Sequence, residues 1–340
     1  MLEIDGSIGE GGGQILRTAL GLSTLTNKPF RIRNIRSGRC TPGLKNQHLY
    51  CIKALQQLSG SKAKGADPGS CEVEYHPASI RKSKLDFDVG TAGSITLILQ
   101  SLMIPCIFGS QKTIRIKGGT DVRWSQPVDY LANVIIPQLR RFAQIDARIL
   151  KRGYYPKGGG IFEIKISPKW QSMEGCDTRI ELLERPELKT IRGISHSSKS
   201  LPDVAERQAR SASMNLKDAH ITQEYCETDS RGSGIALWAI FDSEMPVIIG
   251  ADSLGEKGKR AEDVGHEAAI QLKKEIESGC PVGYHLADNL IPYLAIAGGS
   301  IKVSEISGHT RTNMKITEMF LGGRFDVEGN LIEYVRDQQA

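Results

Sequence analysis

The stretch Leu2-Glu3-Ile4-Asp5, then Gly6-Ser7-Ile8-Gly9-Glu10-Gly11-Gly12-Gly13, then Gln14-Ile15-Leu16-Arg17-Thr18-Ala19-Leu20 decides how this chain folds. It reads as strand, glycine-rich loop and helix in direct succession. Leu2 and Ile4 alternate with acidic residues, and Ile15, Leu16, Ala19 and Leu20 then recur at helical spacing. Working outward, Phe30 and Ile32 alternate against Arg31 and Arg33 as a second strand. A second helix is expected after Thr41-Pro42-Gly43, carrying Leu44, Ile52 and Leu55. Short strands near residues 62–64 and 72–75 close a β-α-β-α-β-β unit.

The same order returns twice, and a repeated unit is the strongest constraint a sequence places on its architecture. In the second copy, residues 85–89 form a strand and Gly90-Thr91-Ala92-Gly93 a loop; residues 94–103 form a helix apolar on nearly every side, hence buried. A strand at 113–117 leads to a helix opened by Pro127, with Val128, Leu131, Val134, Ile135 and Leu139 on one face. Strands at 147–150 and 162–166 complete it. The third copy starts with a strand at 179–183, but its first helix, carrying Leu286, Leu290, Ile291 and Leu294, arrives only about a hundred residues later. The intervening segment has its own pattern, with strands at 188–194, 236–241 and 247–250 and helices at 204–214 and 261–276. The reading is therefore an α/β (α+β) protein with three β-α-β-α-β-β repeats in one large domain, residues 1–183 plus 280–340. A smaller α/β domain, residues 184–279, is inserted into the third repeat, as surface loops tolerate.

Composition limits the function classes. A chain of 340 residues with 39% apolar and 24% charged content suits a soluble globular protein of one large and one smaller domain. Its seven cysteines include no C-x-x-C pair, which speaks against a disulfide framework or a zinc site and for a reducing, cytoplasmic setting. The N-terminus lacks the basic and long apolar segments of a signal peptide. The longest apolar run, residues 95–108, is broken by Gln100, Ser101 and Pro105, so no membrane association is expected. A net charge of +5 suits a polyanionic partner without requiring one.

The chemistry gathers at loop-to-helix junctions. Residues 302–306 read as a strand, and Met314, Ile316, Met319 and Phe320 as a helix that stops at Gly322-Gly323, so His309 falls at a helix start. Unpaired N–H groups there suit a phosphate, and a neutral imidazole beside a phosphate is a nucleophile; a polar capping residue is the plainer reading. Gly12 and Gly13 let backbone approach an anion, although the loop is neither a P-loop nor a dinucleotide fingerprint. Arg17, Arg36, Arg39 and Gln47 surround it in sequence, and arginine forks match phosphate oxygens. Glu10 amid this basic loop suits a Mg²⁺ or Mn²⁺ ligand, or a simple helix N-terminal charge. Gln100, alone on an apolar helix, needs a hydrogen-bonding partner in the core or in a ligand. Tyr284, His285 and Asp288 offer rings and a carboxylate, for an adenine or for helix capping.

These pieces together resemble the RNA 3′-terminal phosphate cyclase family. The similarity is carried by Glu10-Gly11-Gly12-Gly13-Gln14-Ile15-Leu16-Arg17, Arg36-Ser37-Gly38-Arg39 with Pro42-Gly43-Leu44 and Gln47-His48, and Gly93-Ser94 through Gln100. It continues with Gly118-Gly119-Thr120-Asp121, Tyr155-Pro156 with Gly158-Gly159-Gly160, His285-Leu286-Ala287-Asp288, and His309 with Thr312-Asn313. It is weakest in the insert. The resemblance implies three steps. His309 attacks the α-phosphorus of ATP, the AMP passes to an RNA 3′-phosphate, and the neighbouring 2′-hydroxyl closes a 2′,3′-cyclic phosphate. It also implies Glu10 as the ligand of Mg²⁺ or Mn²⁺, and Gln100, His285 and Asp288 with Gly12 and Gly13 at the ATP. Arg17, Arg36, Arg39 and Gln47 would face the RNA end or the phosphates, with oligomerisation left open. Two departures stand out: His285 replaces the aromatic ring common before Leu-Ala-Asp, leaving Tyr284 as the rival stacking ring, and Gly308 replaces the cysteine often found before the nucleophile. The alternative is a cyclase-like RNA-binding protein of ribosome assembly without cyclase activity, a branch expected to lack the histidine.

Overall fold

The computed structural model describes residues 1–337. The first repeat comprises β1 (Leu2–Asp5), α1 (Gln14–Thr26), β2 (Phe30–Arg33), α2 (Asn46–Ser59), β3 (Lys62–Lys64) and β4 (Val73–His76). The second comprises β5 (Lys84–Asp88), α3 (Ile95–Cys106), β6 (Lys112–Gly118), a helix in three stretches, β7 (Ala143–Lys151) and β8 (Gly160–Pro168). That helix runs through α4 (Val128–Tyr130), a π-helical turn (Leu131–Ile135) and α5 (Ile136–Leu139). Pro137 has no N–H to return to a carbonyl four residues back, and the preceding turn widens instead of holding the regular period. After β9 (Ile180–Leu182) come β10 (Leu188–Ser198), α6 (Val204–Asn215), β11 (His220–Cys226), β12 (Ser233–Phe241), β13 (Ile248–Leu254) and α7 (Ala261–Glu277). The chain then returns through α8 (Tyr284–Ala297), β14 (Gly299–Lys302), α9 (Gly308–Leu321), β15 (Arg324–Glu328) and β16 (Leu331–Val335).

Sheet topology shows the repetition directly. The sheets run β1-β2-β4-β3, β5-β6-β8-β7 and, in the same sense, β9-β14-β16-β15. In each, the first two strands pair in parallel across a helical crossover and the other pairings are antiparallel. A fourth sheet, β11-β10-β12-β13, is drawn wholly from the chain between β9 and α8.

The helices of the three repeats face one another. Ile15, Leu16 and Leu20 of α1 are fully buried, each such side chain stabilising the fold by roughly 1.5–3 kcal/mol. Gly21 allows the close approach of α1 to α3: a Cβ there would lie 2.8 Å from Cδ1 of Ile104 and 2.9 Å from the Ser101 carbonyl. Hydrogen bonds then fix the pitch. Thr18 Oγ1 donates to Asn313 Oδ1 (2.7 Å), and Asn313 Nδ2 donates to the Asp288 carbonyl (2.7 Å), joining α1, α9 and α8.

The structure corrects several element readings. Leu44 is buried in the loop ahead of α2, not on the helix. The strand expected at 302–306 ends at Lys302, and Val303 makes only an isolated bridge to Val282. The strand β11 is absent from the expected elements, because its polar, largely exposed residues pair on one side only, at the sheet edge beside β10.

A buried charge cluster joins the second repeat to the fourth sheet. Arg152 donates to Asp129 (Nη1 to Oδ2, 2.7 Å) and to Glu224 of β11 (Nη2 to Oε2, 2.7 Å), while Asp121 Oδ1 lies 3.3 Å from Nε2 of His196 on β10. Arg152, Asp121, Asp129 and His196 are all essentially inaccessible. Removing one partner from such a group leaves an uncompensated charge out of water. Arg152→Met is therefore expected to lower unfolding stability by about 3–5 kcal/mol, read from denaturant midpoints; a loss under about 1 kcal/mol would contradict this account of the junction.

Candidate active site

His309 is the second residue of α9. Ser307 caps that helix, its Oγ accepting from the Thr310 N–H at 2.9 Å, so the neighbouring N–H groups remain open at the helix start. The glycine loop closes over this turn. A Cβ on Gly9 would sit 2.2 Å from Oγ1 of Thr312, and one on Gly308 would sit 2.4 Å from Oε1 of Glu10. Gly308 therefore gives the Glu10 carboxylate room beside the helix. Glu10 Oε2 lies 3.3 Å from Nδ1 of His309 and 3.8 Å from Nη2 of Arg39. Burial holds the His309 imidazole below its ordinary pKa, aided by the charges of Arg17 and Arg39 and opposed by Glu10.

Gly12 and Gly13 lie between the arginines and the helix starts. A Cβ on Gly12 would come 3.4 Å from Nη2 of Arg39, and one on Gly13 would strike Nε2 of His48 at 1.9 Å. The sequence reading left His48 without a role, although its position three residues into α2 was a usable signal. Its Nδ1 accepts from the Lys45 N–H at 3.0 Å, which puts the ring proton on Nε2, the atom facing Gly13. Burial, with the charges of Arg17 and Arg36, pushes the His48 pKa down to about 3, so the ring is neutral.

Gly12, Gly13, Arg17, Arg36, Arg39, Gln47, Tyr284, His285, Asp288 and His309 line one open cleft of about 1400 Å³. Among them Gln47 acts as a strut, its Oε1 accepting from the Ser94 N–H (2.7 Å) and its Nε2 donating to the Ser94 carbonyl (3.1 Å) at the start of α3. Arg36, at φ 56°, turns Nη1 onto the carbonyls of Thr41 (2.7 Å) and Gly43 (3.1 Å).

Gln100 lies behind the cleft rather than on its wall, lining a smaller neighbouring cavity together with Arg17 and Asp288. It accepts from Arg17 Nε (3.1 Å) and donates to Asn289 Oδ1 (3.0 Å). Gln14 Nε2 reaches Asp288 Oδ2 at 3.3 Å. Burial raises the Asp288 carboxyl to about 7 despite the nearby Arg17. The rings of Tyr284 and His285 meet edge to face at 5.0 Å, and His285 Nδ1 lies 3.3 Å from Nε2 of Gln126.

Among the described residues the only group of three potential metal ligands is Asp121, Asp129 and His196. The Arg152 guanidinium already pairs with both of its carboxylates. Glu10 offers a single half-exposed carboxylate, a donor set that fits Mg²⁺ or Mn²⁺ when phosphate oxygens and water supply the other ligands.

A family model described as RNA 3′-terminal phosphate cyclase matches residues 8–327. The chain is 43% identical over 339 residues to the RNA 3′-terminal phosphate cyclase of Pyrococcus furiosus, covering 98% of this chain and 97% of that one. It is 46% identical over 338 residues to the protein of that name in Saccharolobus islandicus, with 97% of each chain covered. For the Archaeoglobus fulgidus protein of that name the figures are 43% over 340 residues, with 98% and 99% covered. This chain, with His309 and its glycine loop in place, belongs to the RNA 3′-terminal phosphate cyclase family, a family of enzymes.

Proposed function

We propose that the chain converts an RNA 3′-terminal phosphate to a 2′,3′-cyclic phosphate at the expense of ATP, with His309 as nucleophile. The observation that carries this reading is the pairing of His309 Nδ1 with Glu10. A carboxylate at Nδ1 favours the tautomer protonated there and leaves the Nε2 lone pair available. In the first step Nε2 bonds to the α-phosphorus of ATP, the bond to the bridging oxygen breaks, and pyrophosphate leaves with that electron pair. In the second, an oxygen of the RNA 3′-phosphate displaces the imidazole and takes up the AMP. In the third, the adjacent 2′-hydroxyl attacks the 3′-phosphorus, loses its proton to solvent and expels AMP. Nucleophile and electrophile then share one ribose, which removes most of the entropic cost of their encounter.

This chain's residues supply charge and placement. Arg17, Arg39 and the Nε2–H of His48 line the phosphate region as donors, with Gly12 and Gly13 allowing close backbone approach. Arg36 and Gln47 hold the loop and the α3 start against that region. Asp288, set by Gln14, and the rings of His285 and Tyr284 form the adenine end, with Gln100 fixing Arg17 from behind. Glu10 would hold Mg²⁺ or Mn²⁺, an ion that supplies neutralisation of phosphate charge when bound. The presence of His309 favours this reading over a ribosome-assembly relative without activity.

We further propose residues 1–183 plus 280–340 as the catalytic domain and 184–279 as the inserted one. The seven cysteines are all free, in keeping with the reducing cytoplasmic setting we propose. Among the described residues no helix is long and apolar enough to cross a membrane.

End-group analysis of a 3′-phosphorylated oligoribonucleotide incubated with protein and ATP should reveal a 2′,3′-cyclic phosphate; an unchanged 3′-phosphate would refute the reading. Glu10→Ala should slow self-adenylation most at low divalent metal. If added metal makes no difference, Glu10 is not a metal ligand.

A third expectation concerns His48. With its pKa near 3 in the folded state and about 6.5 in the unfolded chain, only the unfolded chain takes up a proton between those values. Stability should therefore fall as pH drops below about 6.5, by on the order of 1 kcal/mol per unit. His48→Gln keeps an acceptor for the Lys45 N–H and removes this slope. Urea midpoints of the two proteins should converge as pH falls from neutral towards pH 4, and a constant gap would contradict the assignment.

A further inference from the structure

Two motifs, Gly118-Gly119-Thr120-Asp121 and Tyr155-Pro156 with Gly158-Gly159-Gly160, take no part in the chemistry at His309. The segments they introduce nevertheless line the same cleft, whose wall continues from His309 and Arg39 to Trp124, Tyr155, Arg231 and Lys257. Its volume of about 1400 Å³ exceeds the roughly 300–1,000 Å³ that suits one small ligand, so the cleft has room for more than ATP.

Trp124 is 91% exposed and Tyr155 76% exposed. A tryptophan is usually well buried, and two bare rings on one cleft leave apolar surface in water. Neither ring projects from loose chain. Trp124 has φ 67°, a left-handed conformation that costs a side-chain-bearing residue energy and persists only where neighbours enforce it. Arg123 Nε donates to Glu256 Oε1 at 2.8 Å, the Gln126 carbonyl accepts from Thr96 Oγ1 at 2.8 Å, and the Gln126 side chain reaches His285.

Tyr155 rides on a turn docked against the fourth sheet's loop. The Lys157 N–H donates to Ser230 Oγ (3.1 Å) and Lys151 Nζ donates to Asp229 Oδ1 (2.7 Å). Beneath it Tyr154 is buried, its hydroxyl 2.7 Å from Nδ1 of His196. Arg123 is neutralised by Glu256, whereas Arg231 and Lys257 have no acidic partner among the described residues. Fixed rings interleaved with unpaired cations, in a groove continuous with the reacting centre, match the chemistry of single-stranded nucleic acid.

We propose that Trp124, Tyr155, Arg231 and Lys257 seat the nucleotides preceding the 3′-terminal one of the RNA, with bases stacked on the rings and backbone phosphates against the cations. This rests on the RNA substrate proposed above and adds the path the strand takes towards the inserted segment.

Tryptophan emission gives a direct test, since Trp124 is the exposed one of three tryptophans; Trp238 is buried and Trp170 has an inaccessible indole nitrogen. A short 3′-phosphorylated oligoribonucleotide should quench the full-length protein. Trp124→Ala should lose that quench and bind the oligonucleotide roughly tenfold more weakly, and Tyr155→Ala should lose a similar factor. Trp124→Phe should keep most of the affinity, because a ring remains. Binding of a ribonucleoside 3′-monophosphate should be the same in all these variants, which a general packing defect would not allow. Arg231→Ala and Lys257→Ala should each flatten the dependence of log affinity on log salt by about 0.7. Wild-type oligonucleotide affinity in Trp124→Ala and Tyr155→Ala overturns the proposal, as does a surface that captures a polypeptide but no RNA. Binding and quenching without any cyclic end product would sink the proposed reaction and leave this path standing. Cyclisation with affinities indifferent to all four residues would do the reverse.

Discussion

The site depends on a chain of buried and half-buried hydrogen bonds that locks four helices together. Arg17 on α1 bonds Gln100 on α3, Gln100 bonds Asn289 on α8, and Thr18 on α1 bonds Asn313 on α9, which in turn bonds the Asp288 carbonyl. Each of these groups would cost on the order of 1–3 kcal/mol if left unpaired out of water, so slippage of one helix past another is penalised at several points at once. Apolar packing alone would press the helices together without choosing their relative height. The polar chain chooses it, and the choice sets the glycine loop, Asp288 and His309 around one cleft.

Electrostatics then assigns different work to neighbouring groups. Histidines 48 and 309 both have lowered pKa values, but for different ends. His48 is sealed against Gly13 with Nδ1 committed to the α2 backbone, so it can only donate from Nε2. His309 remains about two-fifths exposed, with Glu10 beside Nδ1, and keeps a nitrogen for chemistry. Arg17, Arg36, Arg39 and Lys45 converge on one end of the cleft, with Glu10 close to Arg39, as expected where a triphosphate and a terminal RNA phosphate must come together. The Arg152 cluster does different work: one guanidinium bridges Asp129 and Glu224 and so holds the second repeat to the fourth sheet.

Much of this was legible in the residues alone. The three β-α-β-α-β-β units could be read because hydrophobic period and glycine punctuation recur together, and the three sheets share one strand order. The helix start at His309 followed from the strand expected before it and the apolar spacing beyond it, and held even though that strand stops at Lys302. What escaped depends on contacts between distant segments. The edge strand β11 carries no apolar run because only one of its sides pairs, and the sequence could not say that Gln100, which needed a partner in the core or in a ligand, meets Arg17. The capping position of His48 is readable in the sequence but its seat against Gly13 is not, and Gly308 gains its meaning only from the Glu10 carboxylate beside it. Local pattern reports on elements; it is silent about which side chains fill the spaces that glycines leave.

The central claim is that one imidazole nitrogen, oriented through Glu10, takes a nucleotide from ATP. Peptide mapping by mass spectrometry after incubation with ATP and a divalent metal tests it most directly. The account predicts an acid-labile AMP adduct confined to the peptide carrying His309, absent from a folded His309→Asn variant. An adduct on any other residue, or one that survives that substitution, would contradict it.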